Sequence, residues 1–354
     1  MIVAIGTRKG LWFAEGAGAD WSLTGPSFPM SEVTALSWQA SADGPPTLLA
    51  GVMSPHWGAT VARSTDLGKT WTQPEAGAIR FSPDDGGSLE RVWQLQPDPY
   101  RPGVVWAGCE PTSLWRSDDG GTSFSLVRSL WDHEHRPRWF PGFGGAAVHT
   151  VLPRDDSSIV IAMSTGGVYR SDDDGASWRP TNTGISAYFM PDPNPEFGQC
   201  VHKVAADAVD GNRLYAQNHH GVYRSDDDGI TWTSIAEGLP SDFGFVMLAD
   251  PTRAGGAWVV PLTADRERIP PEGRLRVWHT TDAGASWSPN QSGLPDQCWT
   301  VVLRDAADVV AGDGDAATVV IGTRDGCVYV SEDDGRSFAS AAVHLPDVLC
   351  VRVA

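Results

Sequence analysis

Ser171-Asp-Asp-Asp-Gly-Ala-Ser-Trp178 and Ser225-Asp-Asp-Asp-Gly-Ile-Thr-Trp232 are two copies of one eight-residue phrase, and four more copies lie elsewhere in the chain. They are Ser64-Thr-Asp-Leu-Gly-Lys-Thr-Trp71, Ser117-Asp-Asp-Gly-Gly-Thr-Ser-Phe124, Thr280-Thr-Asp-Ala-Gly-Ala-Ser-Trp287 and Ser331-Glu-Asp-Asp-Gly-Arg-Ser-Phe338. The shared pattern is S/T-x-D-x-G-x-T/S-W/F. Its aspartates Asp66, Asp119, Asp173, Asp227, Asp282 and Asp333 stand 53, 54, 54, 55 and 51 residues apart. A fixed period of this length marks a repeat architecture. The residue types explain the phrase. Ser and Asp oxygens accept from backbone N–H groups of a tight turn, Gly supplies a positive φ, and the aromatic residue pins the turn to what lies beneath it.

The octapeptide resembles the Asp-box, or BNR repeat, of the sialidase-like β-propellers, and the resemblance runs over essentially the whole chain. It implies an all-β seven-bladed propeller of four-stranded antiparallel blades, in a single domain over residues 1–354. The segments between the octapeptides agree. Each is preceded by an alternating strand such as Gly167–Arg170 or Gly221–Arg224, by a β-rich run such as Ile159–Ala162, and by an inner strand. Seven inner strands are legible, near Thr34–Trp38, Val92–Gln96, Val148–Leu152, Val201–Ala205, Phe245–Leu248, Thr300–Leu303 and Val348–Val353. Gly6-Thr-Arg-Lys-Gly10 repeats Gly322-Thr-Arg-Asp-Gly326, so the chain enters at the second strand of a blade whose octapeptide has decayed to Glu15–Trp21. Pairing Val348–Val353 with Ile2–Ile5 would close the ring and hide both sheet edges.

Calcium is a competing reading of Asp-Asp-Asp-Gly. Placing Gly175 or Gly229 at position 6 of an EF-hand loop puts Arg170 or Arg224 at position 1, which excludes it.

Composition narrows the partners. With 44 acidic against 26 basic residues, the net charge of −18 repels phosphate backbones, and no basic cluster offsets it, so nucleic acid is not expected. Thirteen of those carboxylates belong to the six octapeptides, so net charge says little about the ligand. No run approaches a membrane span, and the N-terminus shows no secretory signal; a cytoplasmic protein is expected. Five scattered cysteines without a CxxC pair read as reduced, buried thiols.

Extra length marks the functional face. In propellers of this type the octapeptide turns share one face, while residues 73–91, 126–147, 179–200 and 263–275 fall in connections that open on the other. Long loops on a rigid scaffold are where sites concentrate. His149 and His202 begin consecutive inner strands one period apart, and Asn218-His219-His220 ends the neighbouring strand. These place a small-molecule site at the channel mouth, with His149, His202, His219 and Glu196 as catalytic candidates. Two chemistries fit. The three imidazoles could hold Zn or Mn with an open position for water, or one could act as a general base beside Glu196 with Lys203 balancing an oxyanion. Arg8 and Arg324, in equivalent Gly-Thr-Arg motifs, could clamp a carboxylate. Arg266, Asn218 and Trp139 complete the expected binding set, with Arg268 beside Arg266 and Phe140 beside Trp139.

The family's activities transfer unevenly. The sialidase Arg-Ile-Pro motif precedes the first octapeptide, whereas Arg268-Ile-Pro270 here lies between the fourth and fifth, and few tyrosines are left outside the repeat. Both departures argue against an exo-sialidase. Xyloglucanase-like glycosidases are similar but face two propellers across their cleft. Propellers of the Ycf48 type are single rings that bind protein, and oligogalacturonate-lyase-type propellers carry a metal and histidines at the channel mouth. The expectation is a hydrolase or lyase acting on a carboxylate-bearing or carbohydrate-like substrate, the alternative being a protein-interaction scaffold.

Overall fold

A computed structural model describes the chain except residues 42, 43, 143, 265, 313 and 315. Its seven antiparallel sheets form a seven-bladed β-propeller, each inner strand packing on the inner strands to either side. Those strands are Glu32–Gln39, Arg91–Pro97, Val148–Pro153, Val201–Ala206, Phe243–Ala249, Val302–Ala311 and Val348–Val353. The ring closes as the sequence implies: Val348–Val353 pairs with Ile2–Thr7, with Val3 opposite Val353 and Ile5 opposite Val351. Six sheets have four strands, and the sheet begun by Glu32–Gln39 has three. Its fourth strand is reduced to one bridge, Arg63 with Thr72, because Pro74 follows and has no N–H to extend the ladder. Among the described residues, no helix is long and apolar enough to cross a membrane.

Apolar faces of neighbouring blades supply the core, with Trp106, Trp115, Trp258, Tyr169 and Tyr215 fully buried between them. The octapeptide turns work as their chemistry predicts. In the first, Gly68 N donates to Ser64 Oγ (2.8 Å), Ser64 Oγ to Asp66 Oδ1 (2.8 Å), and Thr70 N and Oγ1 to the two Asp66 oxygens (2.8 and 2.6 Å). Consecutive left-handed residues, Leu67 (φ 59°) and Gly68 (φ 84°), make the turn. Each carboxylate is thus spent on its own turn. The decayed copy is replaced by a two-residue hairpin between Ala17 and Asp20.

These bonds have a pH signature. The Thr70 hydroxyl, followed by the Thr70 N–H, holds the Asp66 carboxyl down to about 2. Ser177 and Ser286 hydroxyls likewise lower Asp173 and Asp282, while in Asp119, Asp227 and Asp333 burial opposes the shift and hydrogen bonds outweigh it. A carboxyl whose folded pKa lies below its unfolded value near ~3.9 stabilises the fold above that value and loses the contribution as pH falls through the folded pKa. The melting temperature should therefore hold from neutral pH to about pH 5 and drop steeply between about pH 4 and 2. A flat profile down to pH 2, followed by near-UV circular dichroism, would show that the turns carry no such stability.

Candidate functional site

Each blade contributes one interruption at the same level of the ring. The ladder between first and second strands skips in every sheet, leaving Thr34, Trp93, His149, His202, Phe245, the stretch 303–306, and Leu349 out of register. A bulge of this kind bends the strand and re-aims the extra side chain. Here the re-aimed residues line the channel mouth: Thr34, Trp93, His202, Phe245, Leu303, Arg304 and Leu349 all face one cavity of about 1160 Å³. All four long connections add to its wall, through Arg91, Arg138 with Phe140, Phe189 through Gly198, and Arg268. The cavity thus opens on the face the loop lengths indicate.

Its electrostatics oppose those of the whole protein. Among the described residues six guanidinium groups line it (Arg8, Arg91, Arg138, Arg268, Arg304 and Arg324) against four carboxylates (Glu32, Asp192, Glu196 and Asp305). The lining is therefore net cationic on a chain of charge −18. Arg8 and Arg324 come together as expected, but on a carboxylate of the protein: Arg8 Nε lies 3.1 Å and an Arg324 guanidinium nitrogen 2.8 Å from Asp347 Oδ2. Arg8 and Arg91 each pair with Glu32 at 3.2 Å.

Arg304 differs. Its guanidinium sits 4.8 Å from the Trp93 ring centroid and 5.6 Å from that of Phe245. Its buried Nε has no hydrogen-bond partner, and among the described residues no carboxylate reaches it at ion-pair distance. Burial pushes its pKa down. Arg304 is not evident from the sequence, because Val-Val-Leu-Arg-Asp-Ala reads as plain strand and only the bulge turns Arg304 inward; its one signal is the repeat register that aligns it with Trp93 and Phe245.

Of the catalytic candidates, His202 and His219 stand together, with ring centroids 5.6 Å apart. His202 Nδ1 lies 2.5 Å from the Gly244 carbonyl oxygen. A carbonyl only accepts, so Nδ1 carries the proton and Nε2 presents a lone pair. Burial, then the charge of Arg304, holds this imidazole well below its usual pKa. Glu196 lines the same cavity from its exposed rim.

His149 does not join them. It is wholly buried, lies behind the lining with its ring 6.4 Å from Trp93, and neither ring nitrogen has a partner. The third group beside His202 and His219 is instead Cys200: one ligand atom of each lies within 4.8 Å of the others. One hairpin explains the trio. Cys200 immediately precedes the strand Val201–Ala206, the bulge at His202 turns that imidazole to the cavity, and His219 N donates to Cys200 O across the pair at 2.8 Å. Reading every cysteine as a buried apolar filler hid Cys200.

Three expected binding residues take structural roles, and a fourth lies off the lining. Lys203 Nζ is held by Asp305 Oδ1 at 2.9 Å inside the channel and balances that carboxylate, not an oxyanion in the cavity. Asn218 is buried and donates to the carbonyls of Ser186 and His220, fastening a loop to the hairpin. Trp139 turns inward to donate to Tyr169 OH at 3.1 Å, which leaves neighbouring Arg138 and Phe140 on the cavity wall. Arg266 is exposed and off the lining, where Arg268 stands instead.

Comparison with known proteins adds the following. No family model matches the chain. A xyloglucanase of Paenibacillus sp is 29% identical over 177 residues, which is 50% of this chain and 14% of that protein. This chain therefore spans about a seventh of that curated relative. Among solved structures, an ancestral GH74 enzyme superposes with a TM-score of 0.60 at 17% identity, over 88% of this chain and 39% of its own. YCF48 bound to D1 peptide superposes with a TM-score of 0.55 at 13% identity, over 93% of this chain and 85% of its own. At such identities these likenesses establish the seven-bladed ring and leave the chemistry to the site.

Proposed function

We propose that the protein is a carbohydrate-active hydrolase that takes a carboxylate-bearing saccharide into the channel mouth. The observation that carries this reading is Arg304, whose buried Nε is unpartnered and whose guanidinium has no carboxylate at ion-pair distance among the described residues of a cationic cavity. A polar group held out of water is costly unless paired, and a ligand carboxylate would supply the partner that the buried Nε lacks among the described residues. The surrounding surface suits sugar rings. Trp93, Phe140, Phe189, Phe197 and Phe245 present aromatic faces or edges around the cavity, and its volume accommodates an oligosaccharide. Similarity to a xyloglucanase supports carbohydrate as the substrate class. The arginines distinguish this site by favouring an acidic sugar.

In this reading Trp93 and Phe245 hold the ring over the floor, Arg304 fixes its carboxylate, and the scissile bond lies between the Cys200–His202–His219 floor and the rim. Glu196 on that rim is the group placed to give a proton to the departing glycosidic oxygen.

Incubation with uronate-containing polysaccharides and with the same polymers after carboxyl reduction tests the proposal. Reducing ends should be released from the acidic polymers only, with release falling by about 10²-fold or more in Glu196→Gln. Equal release from the carboxyl-reduced polymers, or none from either, would contradict it. Unsaturated products absorbing in the ultraviolet would assign a lyase in place of a hydrolase.

A further inference from the structure

We propose that Cys200, His202 and His219 form a three-ligand site for a borderline-soft divalent transition cation of the zinc class, with its open coordination position facing the channel-mouth cavity. The three side chains converge. One atom from each of the three side chains already falls within 4.8 Å of the others. A tetrahedral zinc with Zn–S near ~2.3 Å and Zn–N near ~2.0–2.1 Å sets its ligand atoms roughly 3.3–3.8 Å apart. The trio would close onto an ion by shifts on the order of 1 Å, within rotamer adjustment and without moving the hairpin.

The donor set is chemically matched. Thiolate and neutral imidazole are both donors that zinc takes, and three protein ligands leave one tetrahedral position open for water or substrate. Hard-cation sites are built from oxygen, and among the described residues no carboxylate belongs to this group.

His202 is also prepared for the role. Its Nδ1–H is fixed on the Gly244 carbonyl, which sets the tautomer and ring plane and leaves Nε2 as the donor atom. His219 is held from the side by the rings of Phe189 and Phe243, with centroids at 5.5 and 5.2 Å. Cys200 and its partners border the cavity, so an ion can enter and a ligand can reach the open position.

Charge near the trio acts both ways. Burial disfavours the free Cys200 thiolate and raises its pKa, while Arg304 and Arg268 oppose that shift only in part, and the same cations oppose a second positive ion, so it is the bound cation that would hold the thiolate. The thiolate offsets half of a divalent charge, and an acidic ligand bound beside Arg304 would offset more. The site differs from the three-histidine set by exchanging the buried His149 for Cys200, and it stands whether or not the ligand is a saccharide.

Titration of the metal-free full chain with Co²⁺ tests the site directly. The expected result is one equivalent bound, with an intense thiolate-to-cobalt charge-transfer band in the near ultraviolet, tetrahedral d–d bands in the visible, and displacement by Zn²⁺. Cys200→Ser should abolish the charge-transfer band and weaken binding at least tenfold while leaving the melting temperature near that of the unaltered protein. His219→Ala should weaken binding comparably, which separates loss of a ligand from loss of the fold at a second position. No stoichiometric cobalt binding in the unaltered protein, or a charge-transfer band that survives Cys200→Ser, would overturn the proposal. Saccharide plays no part in this readout. An intact band with no polysaccharide cleavage would reject the hydrolase and keep the metal site.

Discussion

Asp305→Ala should destabilise the propeller by about 3–5 kcal/mol, the range for removing one partner of a buried ion pair, although the residue belongs to no hydrophobic cluster. Asp305 Oδ1 accepts from Lys203 Nζ at 2.9 Å and from Arg352 at 2.8 Å, so one carboxylate ties together three inner strands around the channel. The two cations lower its pKa against the raising effect of burial, and Arg352 is pushed up from its usual value by Asp305 and Asp308 although burial opposes it. Removing the carboxylate leaves Lys203 and Arg352 facing each other in the interior. Against a typical total of 5–15 kcal/mol, that is a large fraction of the stability, and the melting temperature should fall by roughly 4–7 °C. A fall of less than about 2 °C, measured by calorimetry, would mean that channel water solvates both cations and that the network contributes little.

The fold was legible because its determinants are local. Each octapeptide turn is built from hydrogen bonds spanning four residues, such as Thr231 N to Asp227 Oδ1, so its residue types declare it wherever it occurs. Period and strand count then fix the ring. The functional face was legible for a related reason: the rigid repeat makes loop length a measure of departure from the scaffold, and the long loops do surround the cavity. Individual site residues were less so. His202 and His219 emerged because the repeat register brings them to one rim. His149 has that register too, yet its imidazole ends up behind the lining, because burial depends on the packing of Trp93 and the loops above it. Lys203 reads as an available cation until Asp305, a hundred residues away in the chain, takes it. Arg304 and Cys200 were missed for opposite reasons. One depends on a bulge that sequence does not display, and the other on a pairing across a hairpin that gives an isolated cysteine two histidine neighbours.

The largest functional effect is expected at Arg304. Replacing it with glutamine keeps a planar polar head over Trp93 and removes the charge, so the aromatic floor survives while the carboxylate loses its partner. Charge-assisted hydrogen bonds are worth about 1.5–3 kcal/mol, which converts to a loss of affinity of roughly 10- to 100-fold for an acidic ligand. A ligand of the same shape without the carboxylate should be nearly indifferent to the change. Arg8 and Arg324 already share Asp347, so their replacement should cost much less.

That difference supplies the most direct test of the claim that the channel mouth recognises an acidic saccharide. Isothermal titration of the unaltered protein and of Arg304→Gln with a uronate oligosaccharide, and with its carboxyl-reduced counterpart, gives four affinities. Tight binding is expected in one case only, the acidic ligand with Arg304 present, and similar weak binding in the other three. Equal affinity of the unaltered protein for both ligands, or undiminished binding of the acidic one to Arg304→Gln, would contradict it.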